Sequence, residues 1–474
     1  MKVEQIYTGC LAQGAYYIES DGEAAIIDPL REIEPYINLA RNRNAKIKYV
    51  FETHFHADFV SGHIDLAKKT GANIIYGPTQ MKTGFDCTIA TDGQIFNLGL
   101  AKIKVIHTPG HTLESSCFLL IDETGKETAL FSGDTLFIGD VGRPDLAQHV
   151  IADLTQEKLA SHLYDSLQNK ILPLSDDLII YPAHGAGSAC GKKMSSETSD
   201  TLGNQKKTNY ALRPGITKEE FIKELLTGLT PPPFYFPKNV LMNINGYNSI
   251  DNVIEQGTKA LNPDEFVLLA ESANAIMIDT RKASVFANGY IPNSINIGID
   301  GSFAVWVGTI ITDISQKILL VCDEGREQEA IIRLARVGYD NTIGYLKGGF
   351  NAWLSAKKPV SKIISASAEE AAATLQVNET YKLLDVRKKS EYDSEHVIGA
   401  VNAPLDYIND SMLKIDRNKK YFVHCAAGYR SMIFISMLKS KGYNNLINIE
   451  SGFNEIKKSG RFKTTEFVSP TTLL

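Results

Sequence analysis

Up to residue 184 the chain consists of short apolar runs, rich in β-branched residues and cut by turns. They read AAIIDP from residue 24, KIKYVFETH from 46, ANIIYG from 72, AKIKVIHTPGH from 101, TALFSGDTLF from 128 and DLIIYPAH from 177. Runs of this length bounded by Gly, Pro and Asp predict strands. Several close on His or Asp, and strands whose ends bring polar groups to one rim are how layered α/β enzymes build a site. Residues 185–250 change character: a Gly/Ser/Lys-rich stretch gives way to TPPPFYFP, stiff in proline. This stretch is expected to wrap back on the first domain and then lead onward.

The remainder repeats itself. MIDTRKASVFANGYIPNSINI, from 277, is echoed by LLDVRKKSEYDSEHVIGAVNAPL, from 383. ILLVCDEGREQEAIIRLARVGYDN is echoed by YFVHCAAGYRSMIFISMLKSKGYNN, and LKGGFNAW by IESGFNEI. Asp279 answers to Asp385 and Gly349 to Gly452. Each copy is about 105 residues of strand–helix alternation, the size of a small α/β domain. The expected organisation is a larger domain over 1–248 and two smaller ones over 249–360 and 361–474.

Composition narrows the function. A net charge of −6 over 474 residues leaves no electrostatic footprint for nucleic acid. No run of apolar residues is long enough to span a bilayer, and the N-terminus has no signal-peptide pattern, so the expected compartment is the reducing cytoplasm. Six cysteines with no CxxC make neither a disulfide scaffold nor a zinc ribbon; Cys10, Cys87 and Cys117 read as small buried hydrophobes. Histidine is uneven: eight of ten (54, 56, 63, 107, 111, 149, 162 and 184) precede residue 185. A metal centre explains that clustering. His54-Phe55-His56-Ala57-Asp58-Phe59 follows a strand, and His111, Asp134 and His184 also close predicted strands. In an extended chain the side chains of His54 and His56 fall on one side. Imidazoles with a carboxylate suit Zn or Fe.

This order of HxHxD, His, Asp and His resembles the metallo-β-lactamase superfamily over about residues 1–245, which implies an αββα sandwich with metal at one edge. Hydrolases of that superfamily, glyoxalase II among them, carry HxHxDH and two metals. Here Phe59 removes a nitrogen, and Asp58 with His184 would hold a second metal poorly. The persulfide dioxygenase branch implies one Fe(II) per chain, on His54, His111 and Asp134, with His56, Asp58, His107 and His184 orienting ligands or water. The resemblance also implies substrate contacts from Arg143, in GDVGRPDL, and from Thr112. Cys190, in HGAGSACG, is a possible sulfur carrier. His63, His149 and His162 receive no role. The alternative is a Zn-dependent thioester hydrolase of glyoxalase II type.

In the last repeat a strand leads into Cys425-Ala426-Ala427-Gly428-Tyr429-Arg430-Ser431 and then a helix. Backbone N–H groups and the helix dipole there favour the thiolate that attacks sulfur, and Arg430 is placed to bind an anionic donor. The loop is C-x4-R, tighter than the C-x5-R a cysteine phosphatase wraps around phosphate. It resembles the active loop of a rhodanese. In the middle copy Cys322-Asp323-Glu324-Gly325-Arg326 is shorter and acidic, so a degenerate rhodanese-like domain is expected there. Aligning the helices would put Val321 in the cysteine's place. The fold class is therefore α/β, a metallo-β-lactamase αββα sandwich followed by two rhodanese-like α/β domains. The resemblances imply oxidation of a low-molecular-weight thiol persulfide by O2 to sulfite, sulfur transfer through Cys425 with thiosulfate made or used, and self-association. The thiol stays open among glutathione, coenzyme A and bacillithiol.

Overall fold

The computed structural model describes residues 1–146, 154–229 and 231–469. His149 lies outside them. The chain forms two compact units, Met1–Ile250 with Leu334–Gly338, and Asp251–Arg333 with Tyr339–Leu474. The two repeat copies thus share the second unit.

The first unit holds two six-stranded sheets. One contains, in spatial order, β1 (Lys2–Thr8), β2 (Gln13–Ser20), β3 (Glu23–Ile27), β4 (Lys46–Glu52), β5 (Asn73–Tyr76) and β6 (Thr88–Ile89). The other contains β7 (Ile95–Leu98), β8 (Ala101–His107), β9 (Ser116–Ile121), β10 (Glu127–Gly133), β11 (Ile179–Pro182) and β12 (Asp200–Thr201) in the same sequential order. Strand alternation sorts the side chains. Tyr16, Ile18, Phe51 and Ile75 meet Ile103, Val105, Phe118 and Phe131 between the sheets. Ala15, Tyr17, Ile26 and Val50 turn outward onto Tyr36 and Leu66, which lie in the helices Glu34–Asn42 and His63–Thr70. On the other side Cys117, Leu119 and Leu130 pack with Leu163, Leu202 and Phe221, from the helices Gln156–Ser166, Leu202–Thr208 and Lys218–Leu226. This is the expected αββα sandwich. Burial on both faces explains why its strands read as unbroken apolar runs. Of the three cysteines read as buried, only Cys117 is; Cys10 and Cys87 are half-buried because they lie in connecting segments.

The stretch after residue 185 does wrap back. Its helix Phe236–Asn245 carries Asn243, whose Nδ2 donates to the carbonyls of His56 and Phe59, at 2.8 Å each, and whose Oδ1 accepts from Ser61 N.

In the second unit each copy has its own five-stranded parallel sheet. The middle copy runs β13 (Ala260–Leu261), β14 (Ile276–Asp279), β15 (Ile295–Asn296), β16 (Ile318–Val321) and β17 (Thr342–Leu346), arranged β13-β17-β16-β14-β15. The last copy, β18 (Ser365–Ala366), β19 (Tyr381–Asp385), β20 (Val401–Asn402), β21 (Lys420–His424) and β22 (Leu446–Ile449), has the same order, β18-β22-β21-β19-β20. The repeat extends to single hydrogen bonds. Arg281 is forked onto Asp279 and lies over Phe350; Arg387 is forked onto Asp385 and lies over Phe453. Asn296 and Asn402 tie the same two carbonyls in each copy. Register settles the cysteine alignment: Asp279 pairs with Val321 as Asp385 pairs with His424, so Cys322 and Cys425 occupy equivalent places. The paired glycines follow from them. A Cβ on Gly349 would meet Cys322 O at 2.6 Å, and one on Gly452 would meet Cys425 O at 2.4 Å.

Removing Arg387 leaves the Asp385 carboxylate buried without its cation. Arg387→Ala is expected to lower stability by about 3–5 kcal/mol in urea unfolding. An unchanged midpoint would mean the pair does not hold the last copy together.

Candidate functional site

The geometry follows from strand direction. β8 and β10 are both antiparallel to β9, and β11 runs parallel to β10, so the ends of β8, β10 and β11 reach one rim. Just beyond those ends lie His111, Asp134 and His184. In the other sheet β3 and β4 are parallel, which brings Asp28 beside the Thr53–Phe59 segment. Thr53 O accepts from Ser116 N, joining the two rims. His54 and His56 lie past the end of β4 in irregular chain rather than on an extended strand, with ring centroids 4.2 Å apart.

Three groups of side chains with metal-ligating atoms assemble here among the described residues: His54–His111–Asp134, Asp58–His184–Cys190 and Asp28–Glu52–His56. All nine residues are buried. The first is the triad expected to hold the metal, and its hydrogen bonds set the tautomers. The Thr53 hydroxyl gives its proton to Asp28 Oδ2 at 2.8 Å, so His54 Nδ1–H donates to Thr53 Oγ1 at 3.0 Å. His111 Nδ1–H donates to the Arg143 carbonyl at 2.7 Å, and His184 Nδ1–H to that of Ala12 at 3.1 Å. In each ring this leaves Nε2 as the nitrogen turned toward the group, the atom a metal would take. His111 Nε2 lies 3.4 Å from Asp134 Oδ2. Both Asp134 carboxylate oxygens are buried with no hydrogen-bond partner among the described residues. Burial, together with the neighbouring His56, His111 and His184, holds His54 well below the usual imidazole range, so it stays neutral. The donor set fits a divalent cation.

His56 does something else. Its Nε2 lies 3.1 Å from Asp28 Oδ1 and 3.3 Å from Glu52 Oε2. Burial disfavours its charge, yet the two carboxylates outweigh burial and lift its pKa well above the usual value. Phe59 packs on its ring at 4.2 Å between centroids. Burial pushes Glu52 up to about 7, and Ser61 Oγ donates to it at 2.6 Å. His63, given no role above, lies 3.7 Å from Glu52.

Asp58 and His184 are not alone, as the missing nitrogen at Phe59 had implied. His184 Nε2 is 3.4 Å from Asp58 Oδ2, and Cys190 completes the group. The Cys190 thiol is buried, and burial followed by the Asp58 and Asp134 carboxylates pushes it well up. Arg143 connects these parts: its carbonyl orients His111, its amide donates to Cys190 O, and its guanidinium binds Asp145 and donates to Ala189 O. Thr112 is bonded to Ser115. His107 belongs to none of the three groups; its Nε2 meets the Leu113 carbonyl, which closes the segment carrying His111. Asp28, Glu52, Thr53 and Asn243 were missed in the sequence, although Asp28 ends the run AAIIDP as a site residue would.

In the last copy Gly428 N donates to Cys425 Sγ at 3.1 Å at the start of the helix Tyr429–Ser440. Arg430 is paired through both terminal nitrogens with Glu391, at 2.5 and 2.8 Å. In the middle copy burial and the nearby Glu327, Asp279 and Asp323 push the Cys322 thiol up to about 12.

Residues 8–184 match the metallo-beta-lactamase superfamily, and residues 262–356 and 367–459 each match the rhodanese-like domain. A crystal structure of a metallo-beta-lactamase from Staphylococcus aureus subsp. aureus COL is 33% identical, covering 73% of this chain and 98% of that one, with a TM-score of 0.64. ETHE1 from Myxococcus xanthus is 25% identical over 52% of this chain and 99% of its own, with a TM-score of 0.44. A rhodanese-related protein from Thermoplasma volcanium is 25% identical over 22% of this chain and 97% of its own, with a TM-score of 0.20. An αββα sandwich with candidate metal-ligating groups at one rim, joined to rhodanese-like domains, is the class that fold and site define. The chain belongs to the metallo-beta-lactamase superfamily, with two rhodanese-like domains following that domain.

A thiol whose pKa is raised to about 12 stays protonated at pH 8 and is unreactive there. Brief alkylation at pH 8, read by peptide mass spectrometry, is therefore expected to leave Cys322 unmodified. Labelling of Cys322 at the rate of an ordinary free thiol would contradict the effect of burial and its carboxylates.

Proposed function

We propose that the chain is a persulfide dioxygenase and sulfurtransferase that removes sulfide sulfur. The observation that carries this reading is the triad itself: two imidazoles whose Nδ1 atoms are tied elsewhere, facing a buried carboxylate that has no hydrogen-bond partner among the described residues. His54, His111 and Asp134 would hold one Fe(II), and a two-His, one-carboxylate face leaves positions open for O2 and substrate. Bound there, the iron supplies the redox chemistry for the overall reaction RSSH + O2 + H2O → RSH + sulfite + 2 H+. The protein residues orient and exclude. Thr53, Arg143 and Ala12 fix the imidazole tautomers, and Phe59 packs on His56, which sits between Asp28 and Glu52. The substrate contacts expected of Arg143 and Thr112 belong to the proposal; Arg143 would exchange Asp145 for an anionic group of the thiol.

Cys425 carries the sulfur-transfer half. Its thiolate attacks the outer sulfur of a persulfide, forming Cys425–S–S⁻ and releasing the thiol. Sulfite then takes that sulfur, which breaks the S–S bond, forms thiosulfate and restores the thiolate. The reverse sequence loads Cys425 from thiosulfate. Arg430, released from Glu391, would meet the anionic donor. Joining both activities in one chain raises the effective concentration of the intermediate between them. A reducing cytoplasm suits six free thiols, and self-association of the first domain is part of the proposal. No helix among the described residues is long and apolar enough to cross a membrane.

One observation favours a second reading. Cys190 gives Asp58 and His184 a third donor, and a second metal there would suit a Zn-dependent thioester hydrolase of glyoxalase II type. That reading requires two metals per chain, falling to one in Cys190→Ser. Cys190 as a sulfur carrier is the competing use of the same thiol.

The variants that separate the halves are His111→Ala and Cys425→Ser. The first is expected to lose bound metal and persulfide-dependent O2 uptake, each by more than about tenfold, while keeping thiosulfate exchange. The second is expected to keep O2 uptake and release sulfite rather than thiosulfate. Loss of both activities in either variant with the fold intact would contradict two separate sites.

A further inference from the structure

The middle copy, expected to be degenerate at its own Cys322 loop, carries a segment that reaches the Cys425 loop of the last copy. Tyr429 is the first residue of the helix after Cys425, one position beyond the amide that donates to Cys425 Sγ. Its hydroxyl donates to Gly298 O at 2.7 Å, in the middle copy. The ring lies directly on two bare glycines. A Cβ on Gly301 would stand 2.5 Å from the Tyr429 ring, and one on Gly298 would stand 3.2 Å from it. One face of the helix is held twice, because Ser436, two turns on, accepts from Asn296 N at 3.0 Å.

The segment that receives Tyr429 is itself braced. Arg333 donates to Ile299 O at 2.6 Å, and Arg326 bonds Asp300 at 2.7 Å. Glu329 ties the two arginines together, with contacts at 2.8 Å to Arg326 and 2.6 Å to Arg333. Arg326 is the arginine of the degenerate loop Cys322–Arg326, the counterpart of the one expected to bind an anionic donor. Its guanidinium is engaged with carboxylates of its own copy. A single exposed ion pair contributes little, but a network that also bonds a backbone carbonyl fixes a turn.

We propose that the middle copy is part of the sulfur-transfer site: the Gly298–Ser302 turn, braced by Arg326 and Arg333, holds Tyr429 so that the Gly428 amide stays aimed at Cys425 Sγ. Tyr429 is a positioning residue, acting through the amide beside it. Arg326 serves as a brace through Asp300 and Glu329. The proposal rests on the reading of Cys425 as a sulfur-carrying thiolate, and it gives the inactive copy a reason to keep an ordered loop.

The test follows the pH profile of Cys425 alkylation in the full chain, read on the Cys425 peptide by mass spectrometry. Tyr429→Phe removes one hydroxyl and keeps the ring; Arg326→Ala removes the brace from a distance; Gly301→Ala drives a methyl into the ring. Each is expected to shift the profile to higher pH and slow capture at neutral pH by roughly fivefold, the weight of one hydrogen bond. Metal content should stay unchanged. Superimposable profiles for Tyr429→Phe and Arg326→Ala, at unchanged melting temperature, would overturn the proposal. A separate arm incubates the native chain with thiosulfate and weighs the Cys425 peptide for one added sulfur. Its absence would overturn the reading of Cys425 itself, whatever the variants show.

Discussion

A carboxylate buried with no donor is among the most costly groups a fold can hold, and among the described residues Asp134 has none. Its neighbours do not satisfy it: His111 and His184 come no nearer than 3.4 and 3.7 Å, and their Nδ1 atoms are committed to carbonyls on the far side of each ring. A divalent cation resolves this, meeting the carboxylate charge and the Nε2 atoms turned toward it. Much of the rim serves this requirement. Thr53 passes the Asp28 hydrogen bond to His54, Arg143 links His111 to the Cys190 segment, and Asn243 returns from the C-terminal wrap to hold the chain between His56 and Ser61.

The same fold keeps a second set of charges apart from the first. His56, Glu52 and Asp28 balance one another beneath Phe59, so three consecutive-looking motif residues do three different things. His54 stands with His111 and Asp134, His56 is held between carboxylates, and Asp58 faces His184 and Cys190. The rhodanese-like part is built on a different economy of charge. Both copies retain the Asp–Arg fork and the aromatic ring beneath it, which hold the frame together. They diverge at the thiol, where one meets a backbone amide and the other meets carboxylates.

Much of this was legible in the chain, for physical reasons. Strand ends carry the candidate metal-ligating side chains, so the places of His54, His111, Asp134 and His184 could be read from where apolar runs stop. The internal repeat survives because its hydrogen bonds need Asp, Arg, Asn and Gly at fixed places. What was not legible depends on tertiary pairing. Nothing local says that Glu52 and Asp28 capture His56, that Asn243 crosses back from the wrap, or that Arg143 and Arg430 are already paired with Asp145 and Glu391. Cys190 lay in a Gly/Ser-rich stretch that reads as open loop, yet it is buried against Asp58 and His184 because that stretch folds over the rim. Tyr429 read only as part of the loop after Cys425, and nothing local says that Gly298 and Gly301 lie beneath its ring.

The account stands on the metal that Asp134 and the two histidines are arranged to receive. Its most direct test is the stoichiometry of protein prepared without oxygen and supplied with a thiol persulfide. One iron per chain, with one O2 consumed for each sulfite released, is the predicted result. Two zinc ions per chain, no O2 uptake and cleavage of a thioester would contradict it.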